Sequence, residues 1–209
     1  MQKIKNIIFD LGGVILNIDK NAVLNNIAKL GFDAKQIIEK QSVVKLLLDF
    51  ETGCVDTDAF HVAMKNLAGM DGIDDEVFDR VWCSILLDFP KDRIETILSL
   101  KREYRIFLLS NTNKLHYDKF TADFLNQYGY SFDSLFDHTY YSFEMGLAKP
   151  DSDIFRTVLR ETNIVPDETV YVDDSPANTA AAAELGIRSL TIKPNSGFEE
   201  LMLILKNLH

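Results

Sequence analysis

Residues 7–16 read IIFDLGGVIL, in which one aspartate and two glycines separate two apolar runs. The first run has the length and the β-branched content of a buried strand. A carboxylate such as Asp10 is costly inside a dry core unless it is paired, hydrogen-bonded or bound to a metal. The stretch therefore predicts that Asp10 either faces solvent at the end of a strand or carries out chemistry there.

The composition is that of an ordinary globular protein, with 209 residues, of which 46% are hydrophobic and 26% charged. The formal net charge is −10, which disfavours binding to nucleic acid or to an anionic membrane surface. No apolar stretch approaches the roughly 20 residues that span a bilayer, and no signal-peptide cleavage pattern follows the first apolar run. We therefore expect a cytoplasmic protein, a monomer or weak homodimer, with no nucleic-acid or membrane partner.

Five short apolar runs have the length and the β-branched or aromatic content of strands. They cover residues 6–10, 104–110, 137–142, 169–174 and 187–192. Helical patterns separate most of them, and residues 151–163 place Ile154, Val158 and Leu159 on one helix face. Strands that alternate with helices predict an α/β fold with a Rossmann-like parallel sheet of about five strands, flanked by helices.

Between the first two predicted strands, amphipathic helical patterns follow one another without a convincing strand. They cover residues 21–31, 34–50, 56–69 and 74–86. We therefore predict a small all-helical cap at residues 17–89, inserted into an α/β core that consists of residues 1–16 and 90–209. Glu51, Thr52 and Gly53 are candidates for a cap loop that faces the active site.

Polar residues follow four of the predicted strands, and the carboxyl ends of parallel strands meet at one edge of a sheet. Carboxylates there could attack phosphorus or bind Mg²⁺, and a glycine-rich turn could hold phosphoryl oxygens. A lysine would neutralise the transferring group. The residues that this edge would collect are Asp10, Gly12, Gly13, Ser110, Asn111, Thr112, Lys149, Asp173 and Asp174. Together they predict a phosphoryl-transfer site, in which Asp10 and Asp173 bind the metal and Asp174 orients a water molecule on it.

Four motifs of the chain resemble, in order, those of the haloacid dehalogenase-like (HAD) superfamily: FDLGGVIL (9–16), LLSNT (108–112), KPD (149–151) and VYVDDS (170–175). The likeness extends over essentially the whole chain, including a helical cap after the first motif. Residues 10–19, 51–60 and 108–116 most resemble bacterial sugar-phosphate phosphatases, with glucose-1-phosphate phosphatases as the nearest subgroup. The resemblance implies a Mg²⁺-dependent phosphatase that hydrolyses a small phosphorylated metabolite through an aspartyl-phosphate.

The resemblance also implies roles for individual residues. Asp10 would be the nucleophile, Ser110 a phosphate ligand and Lys149 the lysine of the third motif. Asp173 would share Mg²⁺ with Asp10 and with the carbonyl oxygen of Gly12, and Asp174 belongs to the same metal site. We further expect substrate contacts from Gly12, Gly13, Asn111 and Thr112.

One position departs from the pattern that the family implies. Most phosphatases of this superfamily carry a second aspartate two residues after the nucleophile, where it acts as general acid, and this chain has Gly12 there. General acid–base assistance typically contributes about 10²–10⁴-fold to a rate. Either Asp19 replaces the missing acid, or the substrate has a good leaving group, as the anomeric oxygen of a sugar 1-phosphate is.

Two other functions fit parts of the pattern. A haloacid-type dehalogenase needs no acid for its leaving group, which suits Gly12, but it leaves the pair Asp173 and Asp174 without a metal to hold. A catalytically impaired, phosphate-binding regulatory protein also suits Gly12. The retained charges at positions 10, 149 and 173 argue against it, because clustered charges of this kind mark functional sites.

Overall fold

The computed structural model describes residues 3–207 and contains a five-stranded, all-parallel sheet with the strand order β3-β2-β1-β4-β5. The predicted α/β fold is confirmed, and each strand begins and ends within one residue of the predicted limits. The strands are β1 (Asn6–Phe9), β2 (Arg105–Ser110), β3 (His138–Tyr141), β4 (Thr169–Asp173) and β5 (Arg188–Thr191).

Strand β1 lies at the centre of the sheet, and its four residues are buried. In register, Phe9 is opposite Leu108 of β2 and Val172 of β4, so the three strands end at nearly the same height. The backbone N–H of Asp10 still donates to the Val172 carbonyl at 2.9 Å. This register brings the residues that follow β1, β2 and β4 to one edge, as expected for an open parallel sheet.

Side chains of the sheet alternate between two hydrophobic layers, because successive residues of a strand point to opposite faces. Ile7, Phe9 and Leu108 belong to one buried cluster, whereas Ile8 and Phe107 belong to the other. Helices cover both layers and complete the core: α6 (Lys91–Leu100), α7 (Lys114–Tyr128), α8 (Ser142–Met145), α9 (Ser152–Thr162), α10 (Pro176–Glu184) and α11 (Glu199–Asn207).

The segment between β1 and α6 is helical throughout its regular structure and has a hydrophobic cluster of its own. Stacked rings of Phe50 and Phe60, with centroids 3.9 Å apart, lie within this cluster. The helices are α1 (Ala22–Lys29), α2 (Ala34–Ile38), α3 (Gln41–Glu51), α4 (Thr57–Ala68) and α5 (Asp75–Trp82), the last followed by a short 3₁₀ turn. In residues 3–207, no helix is long and apolar enough to cross a bilayer.

The helical pattern over residues 34–50 is interrupted, which the sequence reading missed. Helix α2 ends at Ile38, and Lys40 has an extended backbone before α3 begins. On one continuous helix, Ile37 and Val43 would lie about 120° apart, because each residue turns the helix by about 100°. The break allows both side chains to enter the same hydrophobic cluster.

Two chain segments connect the helical insert to the core, and they run side by side. The N–H of Asn17 donates to the Asp88 carbonyl, the N–H of Leu87 donates to the Asn17 carbonyl, and Asp19 donates to Ile85, each at 2.9 Å. We propose these paired linkers as the boundary between a core of residues 1–16 and 90–209 and a cap of residues 17–89. Residues 1, 2, 208 and 209 of that division lie outside the described part of the chain.

A further contact joins the insert to the core through His116 at the start of α7. Its ring stacks on Trp82 of α5, and its Nε2 lies 3.2 Å from the Trp82 carbonyl oxygen. The side-chain oxygen of Asn113 accepts from the His116 backbone, so the Asn113 amide group faces Nδ1 and the ring is neutral. Burial lowers the pKa of His116 to about 4.

Because burial keeps His116 neutral, we expect the contact between the helical insert and the core to be sensitive to acid. The unfolded chain binds a proton at His116 below about pH 6.5, whereas the folded protein does so only near pH 4, so stability falls as the pH drops between these values. The loss amounts to about 3 kcal/mol at the lower limit. Urea unfolding at about pH 7 and about pH 4.5 should show a smaller loss for His116→Gln than for wild type. The exposed His138→Gln is the control, and equal losses in wild type and His116→Gln would contradict the prediction.

Candidate active site

The ammonium group of Lys149 lies between polar groups at the carboxyl ends of the strands. Its Nζ is 2.6 Å from Asp10 Oδ1, 2.9 Å from Asp173 Oδ2 and 2.8 Å from the Leu109 carbonyl oxygen. The Lys149 side chain is almost completely buried. Burial by itself would lower the pKa of Lys149, but the two carboxylates outweigh it and hold that pKa above its ordinary value. All three N–H donors of this lysine are therefore used within the protein.

Asn111 fixes the backbone that carries Lys149. Its side-chain oxygen accepts from the Lys149 N–H at 2.9 Å, and its amide nitrogen donates to the Lys149 carbonyl at 2.8 Å. Both ends of the Asn111 side chain are thus engaged with the protein. Asn111 therefore holds the Lys149 backbone in place, and the substrate contact expected from the sequence stays a prediction.

Asp10 follows β1 directly and is buried, as the apolar runs around it require. Burial raises the pKa of Asp10 to about 6, with Lys149 lowering it and Asp173 raising it further. The Leu11 N–H also donates to this carboxylate. Asp10 is therefore a carboxylate on a rigid strand end whose charge depends on its neighbours, which is typical of functional groups.

Asp173, at the end of β4, is surrounded by donors on both of its oxygens. Its Oδ2 accepts from Lys149, from the Tyr171 hydroxyl and from the Asn178 amide, and its Oδ1 accepts from the Ser175 N–H. Burial alone would raise the pKa of Asp173, but Lys149 and these hydrogen bonds hold it below its ordinary value. The sequence reading missed Tyr171 and Asn178, although residues two apart on a strand share a face.

The Asp174 carboxylate is paired with Lys20 and lies close to the backbone of Gly13. Its Oδ2 lies 3.2 Å from Lys20 Nζ, and a Cβ built on Gly13 would be 2.9 Å from the same oxygen. Gly13 also has a backbone φ of +78°, which favours glycine. A side chain at position 13 would thus displace the Asp174 carboxylate, and Lys20 is another residue that the sequence reading missed.

The three carboxylates form a group that could hold a cation. One ligand atom from each of Asp10, Asp173 and Asp174 lies within 4.8 Å of the others. Within residues 3–207, the neighbouring carbonyl oxygen of Gly12 accepts no hydrogen bond from the protein. An all-oxygen donor set suits a hard cation such as Mg²⁺. Three negative charges face the two ammonium groups of Lys20 and Lys149, so the residues present fit a divalent ion.

Ser110 and Thr112 lie beside this group at the end of β2. Among the described residues, the buried Ser110 hydroxyl has a single long contact, 3.4 Å to the Asn111 carbonyl oxygen, which leaves it suitable for binding another group. The backbone of Thr112 is fixed by Ser142, whose hydroxyl accepts from the Thr112 N–H and donates to the Thr112 carbonyl. The loop after β2 is therefore held by residues from the segments after β3.

The cap approaches the core near this loop. A Cβ on Gly53 would lie only 2.0 Å from the carbonyl oxygen of Phe143, the residue after Ser142. The loop of residues 51–53 therefore packs directly against the core. Asp19, the acid suggested as a replacement for position 12, accepts from the Asn21 N–H at 2.9 Å in the linker that leads to α1.

A sequence profile of haloacid dehalogenase-like hydrolases matches residues 4–186. The chain belongs to this family. The family resemblance and the hydrolase class predicted from the four motifs are thereby confirmed. A D-ribitol-5-phosphate phosphatase of Bacteroides thetaiotaomicron is 30% identical over 208 residues, which cover 98% of this chain and 100% of that enzyme.

Solved structures of HAD family enzymes agree with this assignment. One from Bacteroides thetaiotaomicron superposes with a TM-score of 0.91 at 32% identity, covering 96% of this HAD-like hydrolase and 99% of that chain. A wild-type complex with magnesium and inorganic phosphate from the same organism has a TM-score of 0.87 at 32% identity, covering 95% and 98%. Both likenesses extend over core and cap together.

Proposed function

We propose that this hydrolase is a Mg²⁺-dependent phosphatase that acts on a small phosphorylated metabolite through an aspartyl-phosphate on Asp10. The observation that carries the proposal is the buried arrangement of Asp10, Asp173 and Lys149 beside Asp174 at the carboxyl edge of the sheet. Such an arrangement combines a nucleophilic carboxylate, a fixed cation and ligands for a hard metal.

The substrate class that we propose is a phosphorylated sugar or sugar alcohol. Support comes from the relative named D-ribitol-5-phosphate phosphatase, which this chain matches over nearly its whole length. D-Ribitol 5-phosphate carries its phosphate on a primary alcohol, which is a poor leaving group. The good leaving group of a sugar 1-phosphate is therefore not shared by all substrates of this class. Glucose 1-phosphate, the substrate suggested by the sequence resemblance, remains a candidate beside it.

In the proposed reaction, an oxygen of Asp10 attacks phosphorus while the bond from phosphorus to the ester oxygen breaks. The electron pair of that bond stays on the leaving alcohol oxygen, which takes up a proton, and water then hydrolyses the aspartyl-phosphate to inorganic phosphate. Lys149 balances charge on Asp10 during both steps. We assign the phosphoryl oxygens to the Ser110 hydroxyl, to Thr112 and to the backbone N–H of Gly12, whereas the Gly13 N–H already donates to the Leu16 carbonyl at 2.8 Å.

For the metal, we propose a division of roles that differs from the sequence expectation. Asp173 already accepts four hydrogen bonds, which fix it as the partner of Lys149. Asp174 is held mainly by the exposed Lys20 and is the freer ligand. Asp10, Asp174 and the Gly12 carbonyl oxygen would therefore bind Mg²⁺. Asp173 would hold Lys149 in place beside them. When bound, the ion supplies positive charge for the phosphoryl oxygens.

Metal removal tests the proposal. Purified protein assayed on D-ribitol 5-phosphate, glucose 1-phosphate and other sugar phosphates should lose its turnover with EDTA and regain it with excess Mg²⁺. Asp174→Asn should require higher Mg²⁺ for the same rate, whereas the exposed Asp58→Asn should behave as wild type. Metal-independent turnover of a haloacid would instead support a dehalogenase. Phosphate binding without turnover of any ester would support a regulatory protein.

The remaining expectations concern the setting of the enzyme. A cytoplasmic location, a monomer or weak homodimer and the absence of nucleic-acid partners remain predictions. Size-exclusion chromatography with light scattering would determine the oligomeric state.

A further inference from the structure

Lys20 brings a second ammonium group to the carboxylate cluster, and it does so from the linker rather than from the core. Its Nζ is 3.2 Å from Asp174 Oδ2. The Lys20 side chain is 66% exposed, whereas the Asp174 side chain is only 8% exposed. The lysine thus covers the solvent side of a carboxylate that is otherwise enclosed.

The position of Lys20 is set by a fixed segment of chain. Ile18 lies against Gly12, since a Cβ at position 12 would be 3.6 Å from Ile18 Cδ1. Asn195 accepts from the Ile18 N–H and donates to the Ile18 carbonyl, each at 2.9 Å. The Asn195 N–H in turn donates to the Gly13 carbonyl at 2.7 Å. The linker is therefore fastened over the glycine turn, and Lys20 follows two residues later.

The two lysines of the site differ in what they can still bind. Lys149 has given all three N–H donors to protein acceptors, so it has none left for an incoming oxyanion. Within the described residues, Lys20 has Asp174 as its one hydrogen-bond partner and can change its orientation in solvent. An ammonium group has three donors, and charge-assisted hydrogen bonds to phosphate are among the stronger ones.

We propose that Lys20 is a substrate-binding residue whose ammonium group leaves Asp174 for the phosphoryl group of the substrate when a divalent ion binds at Asp174. The inference rests on the proposed function. It explains why the cation that neutralises a proposed metal ligand is carried by an exposed side chain. It also predicts that removal of the charge weakens the binding of phosphate but not the binding of the metal.

Calorimetric titration of the full chain separates these consequences without an activity measurement. The probes are Mg²⁺ alone and inorganic phosphate in saturating Mg²⁺. Lys20→Gln should bind phosphate about tenfold or more weakly than wild type, because one charge-assisted hydrogen bond is lost. The same variant should bind Mg²⁺ as tightly as wild type or more tightly. Lys20→Arg should recover most of the phosphate affinity, and the exposed Lys45→Gln should match wild type in both titrations.

Two results would overturn the inference while leaving the proposed function in place. In one, wild type and Lys20→Gln bind phosphate equally well. In the other, Lys20→Gln loses affinity for Mg²⁺ and for phosphate in parallel, which would indicate that Lys20 has a structural role and does not bind phosphate. If wild type itself binds neither probe and hydrolyses no ester, the proposed function and the inference fall together.

Discussion

Asp10→Asn should lower the turnover of phosphate esters by about 10⁴-fold or more, which is the scale seen when a nucleophile is removed from an enzyme. An amide oxygen does not replace a carboxylate as the attacking group, and the aspartyl-phosphate then does not form. The fold should be retained, since asparagine has nearly the same shape. The buried cluster of Asp10, Asp173 and Lys149 would change from two negative charges and one positive charge to one of each.

The measurement combines kinetics with a direct search for the intermediate. Enzyme quenched in acid during turnover should gain the mass of one phosphoryl group in wild type and not in Asp10→Asn. Circular dichroism and the denaturant midpoint should match wild type. A folded Asp10→Asn protein with normal turnover would exclude Asp10 as the nucleophile.

Asp19→Asn is a useful companion, because it removes a carboxylate from the linker and leaves Asp10 intact. The Asp19 carboxylate accepts from the Asn21 N–H, and an asparagine oxygen can accept the same hydrogen bond. Unchanged turnover in this variant would eliminate Asp19 as the replacement for the missing general acid. A large loss with a normal denaturant midpoint would favour it.

The sheet could be predicted from the sequence because its signals are local. Each strand is predicted by a short run of apolar, β-branched or aromatic residues, and the five runs alternate with helices, a pattern that favours a parallel sheet. The convergence of Asp10, Ser110 and Asp173 then follows from the rule that parallel strands end at one edge. The family motifs indicated the chemistry of that edge, and the matching family profile agrees with it.

The supporting residues could not be predicted in the same way. Asn195 and Lys20 act on the glycine turn and on Asp174 from segments that no strand rule places. The sequence predicts Asn111 as a substrate contact, but its hydrogen bonds to the backbone of Lys149, which is far away in sequence, leave no local signal. Contacts of this kind depend on how loops fold over the edge, and loop conformation leaves no periodic signal.

The break between α2 and α3 could not be predicted from the sequence for a related reason. Its sequence contains no proline or glycine, so the hydrophobic pattern reads as one helix. Tertiary packing favours the break, since it turns Ile37 and Val43 toward the same cluster. Helix propensity is a weak preference that such packing overrides.

At position 12 this hydrolase has glycine where the sequence resemblance implies a general acid, and the structure leaves room for an acidic side chain there. The backbone of Gly12, in contrast to Gly13, does not have a positive φ. In the part of the chain that the structure describes, a Cβ on Gly12 would meet only Ile18, at 3.6 and 3.7 Å, which are ordinary van der Waals contacts. An aspartate at position 12 is therefore compatible with the local fold.

Gly12→Asp should raise kcat on a primary alkyl phosphate such as D-ribitol 5-phosphate by about 10²-fold, the lower end of the usual contribution of a general acid. The gain should be small on p-nitrophenyl phosphate, because that leaving group departs without a proton. Gly12→Asn is the matched control, since it fills the same space without an acidic proton and should show no gain. If Gly12→Asp and Gly12→Asn have the same rate on the alkyl ester, the leaving group already receives its proton from another residue. In that case the enzyme would have a general acid at another position, and glycine at position 12 would not mean that the acid is missing.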